Sequence, residues 1–123
     1  MEKYLTKSKI EQLAKEIRSF LLDRDMWVDV TIYFNGRAFS TDDRQGNYYY
    51  NDPNHLVVLE DQDPHKILEY ASDILTMTFE GDFYDVINYG EWPEAMNQFE
   101  KIISSYGLYY ELSYSWQLGL YPA

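Results

Sequence analysis

The residues with the most chemical capacity in this chain of 123 are its two histidines and its twenty-one carboxylates. Glu60, Asp61, Asp63 and His65 form the one local cluster with metal-like spacing. Oxygen ligands of that kind suit calcium, magnesium or manganese. Asp61-x-Asp63 runs into Pro64, however, where a calcium loop needs its glycine turn, and the twelfth position is Ser72 instead of a glutamate. The competing assignment is structural. Asp63 caps a helix that Pro64 begins, and the dipole of that helix favours the neighbouring acids. On that assignment no metal and no cofactor is expected. Cysteine is absent, which excludes disulfides, thiolate catalysis and thiolate-bound zinc. No nucleophile elbow, phosphate-binding loop, dinucleotide fingerprint or zinc-protease helix occurs. So many carboxylates are available that no acid–base pair stands out. No catalytic residue is assigned, and the expectation is a protein that is not an enzyme.

Carboxylates and tyrosines also bind. Residues 1–44 carry eight acidic and eight basic side chains, whereas residues 45–123 carry thirteen acidic ones against Lys66 and Lys101. The formal charge of −11 therefore belongs to the second stretch, which also holds eleven of the thirteen tyrosines. Such a surface repels phosphate and anionic lipid, which argues against direct nucleic-acid or membrane binding. It attracts a basic surface. The acids cluster as Glu60-Asp61-Asp63, Glu69-Asp73, Glu80-Asp82-Asp85 and Glu91-Glu94. Unpaired buried carboxylates are prohibitive, so these are expected at the surface. Duplex DNA carries one charge per roughly 1.7 Å, so the excess matches about 19 Å of duplex. A domain of this length is about 35 Å wide, giving one face about half the charge density of DNA. The candidate contact residues are Asp61, Asp63, Glu80, Asp82, Asp85, Glu91 and Glu94 in place of phosphates, with Tyr84 and Tyr89 as apolar anchors. Exposed tyrosine buries much area with few rotors and keeps a hydroxyl for bonding. Tyr109 and Tyr121 are also expected at the surface; Tyr70, Tyr106, Tyr110 and Tyr114 follow apolar stripes and are expected in the core. The plainer use of the charge is solubility.

The elements that position these groups follow from periodicity. Ile10, Leu13, Ala14, Ile17, Phe20 and Leu21 predict a helix from about Lys7 to Leu22, opened by a Ser8–Glu11 capping box. Val28, Val30, Ile32 and Phe34 alternate as a strand, and Asn35-Gly36 turns it into a hairpin through Thr41 with Phe39 opposite Ile32. Tyr48 to Tyr50 reads as a third strand, and His55 to Glu60 as a fourth whose apolar run suggests a central place. Asp63-Pro64 starts a helix to about Ser72, followed by a strand from Ile74 to Glu80; one continuous helix to Thr78 is the alternative. Gly81 to Asn88 and the segment after Trp92-Pro93 predict two further helices, the second ending near Gly107. Leu108 to Leu120 reads as one long strand. No linker or internal repeat divides the chain, so residues 1–123 are expected to form a single α+β domain. Its sheet is mostly antiparallel, with about five strands and helices on one face. Residues 1–44 supply a charge-neutral helix and hairpin, and residues 45–123 the acidic, tyrosine-rich remainder.

The chain resembles the small, acidic, single-domain proteins of phages and other mobile elements that block host defence by imitating DNA, the antirestriction and anti-CRISPR kind. It shares their size, their lack of cysteine and enzyme motifs, and acidic residues mixed with tyrosine. Thr76-Met77-Thr78-Phe79-Glu80-Gly81 with Tyr84-Asp85, and Gly107-Leu108-Tyr109-Tyr110-Glu111, look like segments of uncharacterised mobile-element proteins. The balanced charge of residues 1–44 departs from a whole-surface mimic. The resemblance implies a DNA-mimic inhibitor whose partner is the basic surface of a host nucleic-acid-binding protein or nuclease. The alternative is a structural or regulatory module of a mobile element, a possible homodimer formed through Tyr48–Tyr50 and the last strand. Met1 to Lys7 lacks the apolar core of a signal peptide and no apolar run is long enough to span a bilayer, so a cytoplasmic location is expected.

Overall fold

The computed structural model describes residues 5–123; of the segment read as lacking a signal peptide, Met1 to Tyr4 lie outside the described residues. The elements are α1 (Lys7–Asp23), β1 (Val30–Phe34), β2 (Arg37–Ser40), β3 (Val57–Leu59), α2 (Pro64–Ile67), β4 (Leu75–Phe79), α3 (Gly81–Tyr89), α4 (Pro93–Ser104), β5 (Leu108–Tyr114) and β6 (Gln117–Pro122). The strands form one antiparallel sheet in the order β3-β2-β1-β4-β6-β5. This is the expected α+β domain with six strands in place of about five. Among the described residues no helix is long and apolar enough to cross a membrane.

Alternation along the strands separates two faces. Register places Ile32 beside Phe39 on one side and Met77 on the other, and Met77 beside Leu118. These residues share a face with Val30, Phe34, Leu75, Phe79 and Leu120, and all are buried. The stripe of α1, with Phe83 of α3 and Phe99 of α4, closes over that face. Phe83 meets Phe79 and Phe99 edge-on, each at 5.2 Å between ring centroids. Burying each such side chain contributes about 1.5–3 kcal/mol, which sets the rigidity of everything attached to this layer. The other face is polar: Thr31, Ser40, Thr76 and Gln117 lie on it, all buried. Residues 69–73 cross it as a strap. The Ser72 hydroxyl donates to the Leu120 carbonyl (2.5 Å), the Ser72 N–H to Thr76 Oγ1 (2.8 Å), and Gln117 Nε2 to the Glu69 carbonyl (2.7 Å). Gly119 permits this closeness, since a Cβ there would stand 2.9 Å from Ser72 Cβ.

Several expectations need correction. Thr6, not Ser8, caps α1, accepting from the Lys9 N–H at 3.1 Å. Tyr48 to Tyr50 form no strand. They lie in a loop joined to the sheet by an Asp42–Tyr48 bridge and by the Tyr49 N–H donating to the Thr41 carbonyl. β3 is a three-residue edge strand instead of a central one: Leu56 just before it and Val58 within it stay exposed, and nothing pairs with its outer side among the described residues. α2 stops after one turn, and Tyr70, expected in the core, takes a left-handed conformation (φ 60°) and is 72% exposed. The strand over β4 is confirmed against the continuous helix. The supposed long final strand is a hairpin: the chain reverses at Ser115-Trp116, and Leu112 pairs with Leu118. A bulge between Leu112 and Tyr114 keeps the apolar set on one face across the turn but moves Tyr114 beside Gln117 on the polar face.

Candidate protein interface

One end of the sheet, where β1 begins and β4 ends, gathers acids. The Glu80 N–H donates to the Asp29 carbonyl at 3.0 Å, joining these two strand ends. The chain then turns at Gly81 (φ 58°), where a Cβ would stand 3.0 Å from the Val28 carbonyl oxygen. α3 follows and runs across the sheet end, until Asn88 Nδ2 donates to the Ser115 carbonyl in the β5–β6 turn at 2.7 Å. Phe83, Val86 and Ile87 face inward, so Asp82 and Tyr89 are left outside, with Tyr84 and Asp85 half-buried. Gly90 ends the helix in the left-handed region, and the exposed Trp92 (φ 52°) precedes Pro93 at the start of α4. The exposed Glu80, Asp82, Glu91 and Glu94 and the half-buried Asp85 thus follow one another along a single ridge of chain, from the end of β4 through α3 to the start of α4, with Tyr84 and Tyr89, whose rings lie 6.1 Å apart. The sequence holds no lysine or arginine between Lys66 and Lys101. Asp82 and Glu94 stand in the first turns of their helices, where the helix dipole stabilises negative charge.

A groove of about 330 Å³ adjoins the ridge and shares Glu80 with it. Asp29, Asp42, Tyr48 and Trp116 also line it, over a floor that includes Thr31 and Thr78 of the polar face. Trp116 stacks on Tyr114 with centroids 4.9 Å apart. The Tyr50 hydroxyl donates to Asp29 Oδ1 at 2.6 Å, and this bond, with some burial, pushes the Tyr50 phenol up to about 12. Arg44 lies 3.9 Å from Asp42, a long and exposed pair. Arg24 reaches the same end but spends its Nε on Gln98 Oε1 at 3.1 Å and lies over the Phe20 ring. Asp29, Asp42, Tyr48 and Trp116 were not among the sequence candidates for contact with a basic partner; Tyr48 and the strand holding Trp116 were named only for the alternative homodimer. Trp116 occupied a regular position in the supposed long strand, and nothing in its spacing revealed the chain reversal that exposes it.

Asp61 and Asp63 do not join the ridge. The Gln62 N–H donates to the Gly36 carbonyl at 2.8 Å, which fixes this segment at the far end of β1 from Glu80. Bases collect there: Arg37 pairs with Glu60 at 3.2 Å, and Lys66 shares a shallow pocket with Asp61 and Asp63. The Lys7 carbonyl accepts from Asn35 Nδ2 at 2.8 Å. Asp63 caps α2 by accepting from the His65 N–H (3.0 Å), and His65 Nε2 meets Asp73 at 2.8 Å. Glu60, Asp63 and His65, three of the four residues with metal-like spacing, are thus directed to separate partners. Among the described residues no three metal-type side chains converge.

At the far end bases stand among the acids, whereas the end at Glu80 is mostly acidic. Such an arrangement can hold a cationic surface by electrostatic attraction at the ridge, with Tyr89 and Trp92 giving apolar contact. Comparison with known protein families, curated proteins and solved structures returned no match.

Proposed function

We propose that the protein is a non-catalytic inhibitor that mimics nucleic acid and occupies the basic groove of a host defence or DNA-binding protein, in the manner of anti-CRISPR or antirestriction proteins. The observation that carries this is the collection of Glu80, Asp82, Asp85, Glu91 and Glu94 on one ridge without a cation in the segment, beside exposed Tyr89 and Trp92. Electrostatic complementarity of this kind speeds association and is screened by salt. The contact set is revised accordingly: Asp61 and Asp63 lie outside it, and Asp29 and Trp116 extend it.

Binding to purified RNA-guided nucleases, restriction enzymes and basic DNA-binding proteins tests this at low and at high salt. Competition with duplex DNA, affinity falling steeply with salt, and at least tenfold weaker binding of Asp82→Lys with Glu91→Lys are the expected results. Asp61→Lys with Asp63→Lys leaves affinity near wild type. Salt-independent binding, or equal losses from both pairs of substitutions, overturns the proposal.

A further inference from the structure

β5 is the long outer edge of the sheet, and its free side is self-complementary. The Ala123 N–H donates to the Gly107 carbonyl at 2.9 Å. Hydrogen-bonded pairs alternate along an antiparallel ladder, so Tyr109–Tyr121 and Glu111–Gly119 are also bonded pairs. The intervening pair Leu108–Pro122 is not, which suits proline's missing N–H. Independently, the Leu120 carbonyl accepts from Ser72, on the side of β6 away from β5. Leu120, opposite Tyr110, is therefore not bonded to β5. It follows that the N–H and C=O groups of Leu108, Tyr110 and Leu112 point outward. Among the described residues no backbone group outside the strand partners them. Leu112 is 43% exposed and Tyr109 41%.

We infer that β5 pairs antiparallel with β5 of a second copy of this chain, about a twofold axis at Tyr110, making one continuous sheet. In this register Tyr110 lies opposite Tyr110 of the other copy and Leu112 opposite Leu108, and every outward N–H and C=O of these residues finds a partner. On the polar face Tyr109 stands opposite Glu111, so its hydroxyl, now 2.7 Å from Glu111 in its own chain, can bridge both copies. Moving the axis to Glu111 sets two carboxylates face to face, and moving it to Tyr109 leaves Leu112 unpaired. The antiparallel arrangement also sends the two acidic ends in opposite directions. The opposite edge, β3, offers only three residues.

The chain has no cysteine, so single cysteines report the register directly. Bonded antiparallel pairs have Cα atoms about 5.5 Å apart, within disulfide reach. Under oxidation Tyr110→Cys forms a covalent dimer and Glu111→Cys does not; the converse overturns the register. Sedimentation of the unmodified protein shows a concentration-dependent doubling of mass, stronger at high salt because both copies are acidic. Binding to a basic groove has the opposite salt response, so the two proposals fail separately. Leu112→Pro, which removes one outward N–H and leaves the β6 ladder intact, gives a monomer with wild-type circular dichroism. Leu112→Lys does the same should the proline variant not fold. A wild-type monomer at millimolar protein in high salt, or a dimer that survives both substitutions, overturns the inference.

Discussion

Four tyrosine hydroxyls serve carboxylates in this protein: Tyr50 with Asp29, Tyr106 with Glu16, Tyr109 with Glu111 and Tyr114 with Glu69. In a chain short of cations the phenol is the donor at hand, which gives the tyrosines a role that their number alone does not reveal. The bond exists only while the phenol keeps its proton. Tyr50, through its hydrogen bond to Asp29, and Tyr106, through burial and then Glu16, are both pushed up to about 12. A folded pKa above the unfolded value of about 10 means stability that is complete below pH 10 and lost as pH rises toward 12. Phenolate absorbance is expected to show some tyrosines ionising normally and a later group ionising together with unfolding. Tyr50→Phe with Tyr106→Phe flattens the alkaline loss of stability. A second residue-scale test concerns Asn51, whose Oδ1 accepts from the N–H of buried Trp27 at 2.9 Å while its own N–H returns to the Trp27 carbonyl at 3.0 Å. Asn51 is left-handed (φ 53°), so Asn51→Ala loses the side-chain bond and meets backbone strain. It should cost about 1–3 kcal/mol in urea unfolding and expose the Tyr48–Tyr50 loop to protease.

The strap of residues 69–73 is the element that decides how the polar face of the sheet is used. It fills the space that Gly119 leaves vacant. Gly119→Ala should push the strap off Thr76 and Gln117 and cost about 1–3 kcal/mol, read as a lower denaturant midpoint at an unchanged slope. Ser72→Ala removes one donor from the Leu120 carbonyl and leaves the Ile74 N–H without its acceptor, with a loss of similar size. The strap itself was not legible in the sequence, because it is held by hydrogen bonds between residues nearly fifty positions apart. By contrast the β1–β2 hairpin was legible down to its register, since Asn35-Gly36 supplies both left-handed residues and alternation does the rest. α1, α3 and α4 were legible for the same kind of local reason: apolar spacing, with glycine or proline at the ends of α3 and α4. The β5–β6 reversal lacked any glycine, proline or asparagine, and its bulge preserved the alternation on both sides, so periodicity ran through it unbroken.

At the scale of the molecule, the charge division runs along the strands instead of along the chain. Lys7, Arg37 and Lys66 share one end with Glu60, Asp61, Asp63 and Asp73, although they come from separate parts of the sequence. The other end holds Asp29, Asp42, Glu80, Asp82, Asp85, Glu91 and Glu94 against Arg24 and Arg44. Linear counting located the excess but could not tell which acids the fold would bring beside bases. Repulsion within the acidic end opposes folding. Added salt is therefore expected to raise the melting temperature, and Glu91→Lys, which lies outside both helices, to add up to about 1 kcal/mol of stability at low salt while weakening binding to the proposed partner. Differential scanning fluorimetry across a salt series checks both; a melting temperature indifferent to salt would remove the repulsion. The offset of charge from the centre of mass has a mechanical meaning as well. In the field of a cationic target the molecule feels a torque, not only a pull. It rotates while still in free diffusion, so that a larger share of first collisions begin with α3 leading and the hairpin turn of β1 and β2 trailing.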